Sequence, residues 1–249
     1  MKKITNFILI LFILFGCVQK VDKLKLAESH YKLGLAYLGS ENDFRALGEF
    51  EEALKYNPKD DRVYYAISAF YLKKNMLDKA EKYIMKALTI SPSNSEYLNA
   101  YASILAAKGD LSNAIVNWKK ILNDPTYPNI PLVYYNIGLA YFNMKDYEEA
   151  KLYFENAIKA NRFFANAYLM LYEIFMKEDK INEAEQILKQ AVDNNPANRR
   201  LLLKLGEHYY NAKKLNEAAS IFEDIVIKFP QSEEAKKASE YLKTFGIYK

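Results

Sequence analysis

Apolar residues recur at spacings of three and four along most of this 249-residue chain, and small residues recur among them at a longer period. From Gly138 to Ala157 the pattern reads as two amphipathic helices joined by a tight polar turn. Gly34, Tyr37, Ala46, Phe50 and Ala53 repeat the mutual spacing of Gly138, Tyr141, Ala150, Phe154 and Ala157. So do Gly206, Tyr209, Ala218 and Phe222, with Ile225 in place of the last alanine. Ala46, Ala80, Ala114, Ala150, Ala184 and Ala218 fix the register, 34 residues apart except for 36 between Ala114 and Ala150. A helix pair of this size cannot bury its apolar face alone, so six copies predict a stack in which each covers the next.

Period, small residues and terminal proline match the tetratricopeptide pattern. The expected fold is all-α: a tetratricopeptide-repeat solenoid, a right-handed superhelix of six helix-turn-helix repeats over 27–60, 61–94, 95–130, 131–164, 165–198 and 199–232, followed by a C-terminal capping helix and tail over 233–249. Small residues let the two helices of a pair cross closely, and large ones such as Phe50, Trp118 and Phe154 fill the space between crossings. Pro58, Pro92, Pro196 and Pro230 stop the second helix of their repeats, because proline lacks an N–H and disfavours helix in the residue before it. Pro125, Pro128 and Pro131 fall in a junction that carries the two extra residues. Arg162 stands where the fourth repeat should have its proline, and Phe44 lies one residue nearer its alanine than its counterparts do. Gly39 and Gly109 mark turns within repeats. Ser232, with Glu233 and Glu234, opens the final helix as N-cap and acidic first turn.

The start of the chain has another character. Lys2 and Lys3 precede an uncharged run from Phe7 to Phe15, too short to span a bilayer, which ends at Leu14-Phe15-Gly16-Cys17. That sequence resembles the bacterial lipobox. Residues 1–16 are expected to be a lipoprotein signal peptide, with Cys17 lipidated and residues 17–26 a lipidated N-terminus and short tether. Two or more acyl chains anchor durably at about 0.8 kcal/mol per buried CH₂, and no transmembrane helix follows Cys17. Val18 after the cysteine leans the address towards the outer membrane. A single cysteine excludes an intramolecular disulfide.

Loss of Lys2 and Lys3 with the signal lowers the formal charge from +4 to +2, and no basic block argues for nucleic acid. His30 and His208 are the two histidines; His30 falls at a large-residue position and reads as packed core. There is no metal-ligand spacing, phosphate loop or nucleophile elbow, so an enzyme, a cofactor and a small-molecule substrate are not expected. Signal, tether, repeats and cap use all 249 residues. What remains is a protein-binding surface. The groove side of the first helices offers Leu35, Tyr65, Ala69, Asn99, Ser103, Tyr135, Asn136, Leu139, Phe142, Leu169 and Glu173, suited to an apolar or extended peptide with Asn99 and Asn136 available to its backbone. The Lys/Asn/Arg carboxylate clamp of chaperone-adaptor arrays is not found in this set.

Lipobox, tether and six repeats resemble the pilotin-type lipoproteins of type IV pilus systems, the PilF/PilW-type pilus biogenesis and stability family. The likeness is most specific from Asn99-Ala100-Tyr101 through Gly109-Asp110 to the Asp124-Pro125-Thr126-Tyr127-Pro128-Asn129 junction, followed by Asn136-Ile137-Gly138-Leu139. Ala106 departs from the family, which often has cysteine there. The resemblance implies a non-enzymatic protein on the periplasmic face of the outer membrane that binds secretin subunits and promotes their localisation and assembly. A general envelope scaffold, or an accessory subunit of an enzyme, is the competing reading.

Overall fold

A computed structural model describes residues 22–38 and 43–245. Thirteen helices and no strand occur among the described residues: α1 (Lys23–Tyr37), α2 (Asp43–Tyr56), α3 (Asp61–Lys73), α4 (Leu77–Ile90), α5 (Ser95–Ala107), α6 (Leu111–Ile121), α7 (Ile130–Asn143), α8 (Tyr147–Ala160), α9 (Ala165–Lys177), α10 (Ile181–Asn194), α11 (Arg199–Asn211), α12 (Leu215–Lys228) and α13 (Glu233–Thr244). Pairs form between α1 and α2, α3 and α4, α7 and α8, α9 and α10, and α11 and α12, and α13 packs on α12. The chain divides into two compact units, up to Ile104 and from Leu105, so the boundary falls within α5.

In both units the register alanines lie at the closest crossings. Ala46 and Ala80 in the first unit, and Ala114, Ala150, Ala184 and Ala218 in the second, have no exposed surface. Each glycine of the Gly–Phe pairs is matched to a ring. A Cβ at Gly34 would meet Phe50 at 2.5 Å, one at Gly138 would meet Phe154 at 2.7 Å, and one at Gly206 would meet Phe222 at 2.5 Å. Two of the other repeats fill this crossing differently: Ser68 goes with Ile84 in the first unit and Tyr172 with Leu188 in the second, all buried. Interiors are close-packed, so a smaller partner accompanies the serine, while the bulkier Tyr172 turns its ring against His208.

The turns inside five repeats share one geometry. Asn75, Gly109, Lys145, Asp179 and Lys213 all have positive φ, from 55° to 87°. In each, the N–H of the following residue reaches the carbonyl five residues back, as from Met76 to Tyr71, Asp146 to Tyr141 and Lys214 to Tyr209, all within 3.0 Å. This closure satisfies carbonyls that the helix end leaves without partners. Gly109 was legible as a turn residue; the two lysines take a left-handed conformation that costs a non-glycine residue roughly 1–2 kcal/mol.

Between repeats, links of four residues recur at 57–60, 91–94, 161–164, 195–198 and 229–232. Tyr64 donates its hydroxyl hydrogen to the Pro58 carbonyl and Tyr168 donates to the Arg162 carbonyl, both at 3.0 Å. Arg162 therefore keeps the acceptor that the proline position supplies, and the missing proline does not change the link. The junction after α6 is longer, 122–129, and buries Tyr127 while leaving Pro125 and Pro128 exposed.

Two expectations are corrected. The tether does not extend to Leu26: α1 begins at Lys23, where the Asp22 carboxylate accepts from the N–H groups of Leu24 and Lys25 at 3.1 and 3.3 Å. Cys17 lies outside the described residues, and the link from it to Asp22 spans roughly 17 Å at full extension. His30 is not packed core: its ring is half-buried, stacks on Tyr56 and bonds Glu49 Oε2 at 2.7 Å.

His208 is the buried histidine. It occupies the place in its repeat that Phe70 and Ile174 hold in theirs, is 3% exposed, and leaves Nε2 without a hydrogen-bond partner. Tyr172 and Tyr209 flank the ring, and Glu185, held by Lys189 and Lys214 at 2.6 Å each, approaches Nε2 to 3.8 Å. Those lysines hold the Glu185 carboxyl down to about 2. Burial lowers the His208 pKa below its ordinary 6.5, Glu185 opposing. The unfolded chain therefore binds the proton first, and stability is lost as pH falls below about 6.5. His208→Ile is expected to gain about 1 kcal/mol at pH 7 by removing the unpaired nitrogen and to flatten the loss between pH 7 and 5. Denaturant melts at the two pH values measure both, and an unchanged pH slope would contradict the assignment.

Candidate functional site

The first helix of each pair turns one stripe away from the core, and positions four apart along a helix share that stripe. In the first unit it carries Leu35 on α1, Tyr65 and Ala69 on α3, and Asn99 and Ser103 on α5. Leu35 is 42% exposed and Ala69 is exposed. Tyr65 is half-buried, its ring 5.1 Å from that of Tyr97, and its hydroxyl donates to Glu96 Oε1 at 3.0 Å. Ser103 donates to the Asn99 carbonyl at 2.8 Å.

A charged cluster borders this stripe. Arg62 donates from Nε and Nη2 to the two carboxylate oxygens of Asp60 at 2.9 and 2.7 Å, and from Nη2 to Glu28 Oε2 at 2.9 Å. Its guanidinium lies 4.8 Å from the Tyr31 ring centre. Asp60 is buried, so the pair is a structural tie across the first two repeats.

In the second unit the stripe runs through Tyr135, Asn136, Leu139 and Phe142 on α7, then Leu169 and Glu173 on α9. Tyr135 packs its ring against Phe154 and Phe164, with centres 5.6 and 5.3 Å apart, and burial raises its hydroxyl pKa while Arg200 pulls the other way. Asn136 and Leu139 are half-buried. Phe142 packs on Tyr147 under the Lys177 ammonium. The α7 end is therefore aromatic and well supported, with its charges supplied by Lys177 and Arg200 from neighbouring helices.

Leu169 and Glu173 meet residues that sequence reasoning did not select. They line a cleft of about 400 Å³ with Arg200, Leu203, Lys204, Glu207 and Lys237. A second cleft of the same volume continues it through the shared Glu207 and Lys237 to Tyr210, Tyr241 and Thr244. Leu203 and Glu207 are 34 residues beyond Leu169 and Glu173; Lys237 and Tyr241 are 34 further still. Helix α13 thus serves as the first helix of a seventh repeat and supplies one wall of the cleft, besides covering α12 through Ala235, Ala238 and Leu242. The register alone could have found these four residues.

Among the described residues no group of three or more His, Cys, Asp or Glu side chains could hold a metal ion, and no helix is long and apolar enough to cross a membrane. Paired helices with an accessible, chemically varied stripe define a class of protein that works by holding other proteins. The chain belongs to the tetratricopeptide-repeat family, whose sequence profile matches residues 45–104 and 175–240, with a second profile of the same repeat at 131–164. It is similar to the type IV pilus assembly protein PilF of Pseudomonas aeruginosa, at 26% identity over 199 residues that take in 76% of this chain and 79% of that protein. The solved structure of Pseudomonas aeruginosa PilF matches with a TM-score of 0.67 at 24% identity, covering 88% of this chain and 98% of that one. PilW, a type IV pilus biogenesis factor, matches with a TM-score of 0.66 at 22% identity over 85% and 97%. The chain is a tetratricopeptide scaffold related to these pilus proteins.

Proposed function

We propose that the chain is a lipid-anchored periplasmic scaffold that binds secretin subunits and assists their localisation and assembly in type IV pilus biogenesis. The similarity to the type IV pilus assembly protein, which spans three-quarters of both chains, carries this reading. Two features support it. The Leu14-Phe15-Gly16-Cys17 sequence supplies an acylation site five residues before the Asp22 cap, so α1 starts near the membrane face. The stripe along α7, α9, α11 and α13 supplies an aromatic end and a charged end on one unit. Acyl chains give the address and the stripe holds a secretin segment; joining the two raises local subunit concentration at the membrane without any new contact.

Purified mature chain is expected to bind the periplasmic part of its own host's secretin, and Leu139→Glu to weaken that binding about tenfold or more, since it places an unpaired carboxylate on an apolar contact. Isothermal calorimetry reads both. Absence of binding by the wild-type chain would overturn the secretin assignment and favour a scaffold for another envelope assembly.

A further inference from the structure

Two arginines occupy the same place in their repeats, and the chain treats them oppositely. Arg62 is held by Asp60 two residues before it, by Glu28 in the preceding repeat, and by the Tyr31 ring beneath. Arg200 has the same three neighbours by register, and all three are changed. Asn198 stands for Asp60, Asn166 for Glu28 and Leu169 for Tyr31. Both carboxylates have become amides. The hydrogen bond that Arg200 makes is to Asn166 Oδ1 at a long 3.3 Å; the Asn198 side-chain Oδ1 caps α11, accepting from Leu201 N at 3.2 Å, as Asp60 Oδ1 caps α3, but carries no charge for the arginine. The guanidinium remains charged and exposed at the edge of the cleft. Lys237 faces the same space, whereas Glu173 and Glu207 are already paired with Lys177 and Lys204 at 3.8 and 3.7 Å.

We infer that Arg200, assisted by Lys237, is a docking point for a side-chain carboxylate: the cleft takes an extended protein segment with an aspartate or glutamate beside an aliphatic residue. Guanidinium and carboxylate match in planar, two-bonded geometry, and such charged bonds are the stronger ones at an interface. Leu169 and Leu203 form the floor for the neighbouring aliphatic side chain. The cleft continues past Lys237 to Tyr241, so the segment runs on beyond the arginine. That favours an internal acidic side chain over a chain terminus. The inference rests on the reading that this face binds protein, and it names the chemistry of what is bound.

The test uses the full mature chain and an array of acetylated, amidated twelve-residue peptides in which acidic, amide, basic and aliphatic residues are varied by position. Wild-type protein is expected to select Asp or Glu next to Leu, Ile or Val. Arg200→Gln is expected to bind those peptides about tenfold or more weakly, with neutral peptides unaffected. Asn166→Glu with Asn198→Asp leaves Arg200 in place, rebuilds the arrangement around Arg62, and is expected to erase the acidic preference as well. Circular dichroism melts check that both variants stay folded. Apolar peptides that bind wild type without acidic preference, or an acidic preference that survives both variants, would overturn the inference and leave the protein-binding face intact. The same peptides made with a free C-terminal carboxylate are the control: binding seen only with them would overturn the side-chain assignment. No binding to any peptide would overturn both readings.

Discussion

Leucine in place of Gly138 is expected to cost about 3 kcal/mol, at the upper end of ordinary overpacking, and to loosen the α7–α8 pair. The first added carbon alone would sit 2.7 Å from Phe154 Cε1 and 2.8 Å from Cδ1. Phe154 has no exposed surface and is ringed by Ala150, Ala157 and Tyr135, so it has nowhere to turn. The better helix propensity of leucine returns less than 1 kcal/mol. In a repeat array each pair is stabilised by its neighbours, so the loss should reach α9 through the same cluster of Leu171 and Ile174. Phe154→Ala alone is expected to cost about 3–5 kcal/mol through the cavity it leaves. Combining the two should cost less than their sum by about 1 kcal/mol or more, because the leucine enters the space the ring vacates. Tyr172 with Leu188 shows the chain itself using a large residue on the first helix and a smaller one on the second. Urea melts of the four chains measure the coupling. Additive losses would show that the glycine is not there for the ring.

Cys17→Ser is expected to have the largest effect in the cell. Durable anchoring takes two acyl chains, and no helix among the described residues can replace them. The folded, exported variant should move from the membrane pellet to the soluble periplasmic fraction nearly completely, while its melting curve stays that of the wild-type mature chain. A variant that remains in the pellet after a high-salt wash would contradict lipid anchoring through Cys17.

The helix pairs were legible because one register repeats along the chain: six alanines, three Gly–Phe pairs and the link prolines agree, and each satisfies the same packing constraint. Local geometry was less so. Gly109 announces a left-handed turn, but Lys145 and Lys213 do not; there the three-residue link between packed helices imposes a conformation that the residue disfavours. The extra turn of α1 was missed because Lys23 to Leu26 look like a charged tether, and the Asp22 cap decides otherwise. Arg162 looked like a defect of the fourth repeat, yet its link is closed by a backbone carbonyl that any residue can offer. Of the residues lining the clefts, the sequence pattern points to Leu169 and Glu173 but not to Leu203, Glu207, Lys237 and Tyr241, because α13 reads as a cap. Its outer residues do face solvent, but its packing onto α12 turns Lys237 and Tyr241 into the cleft. The contrast between Arg62 and Arg200 needs contacts as well as register, since a sequence does not show which carboxylates a guanidinium reaches.

The most direct measurement is the secretin multimer in unboiled outer-membrane fractions from a strain lacking this gene and carrying the wild-type chain, the Cys17→Ser chain or an empty vector. The account predicts a multimer with the wild-type chain, its loss with the empty vector, and a marked loss with Cys17→Ser. A multimer of unchanged amount and location in the empty-vector strain would contradict it.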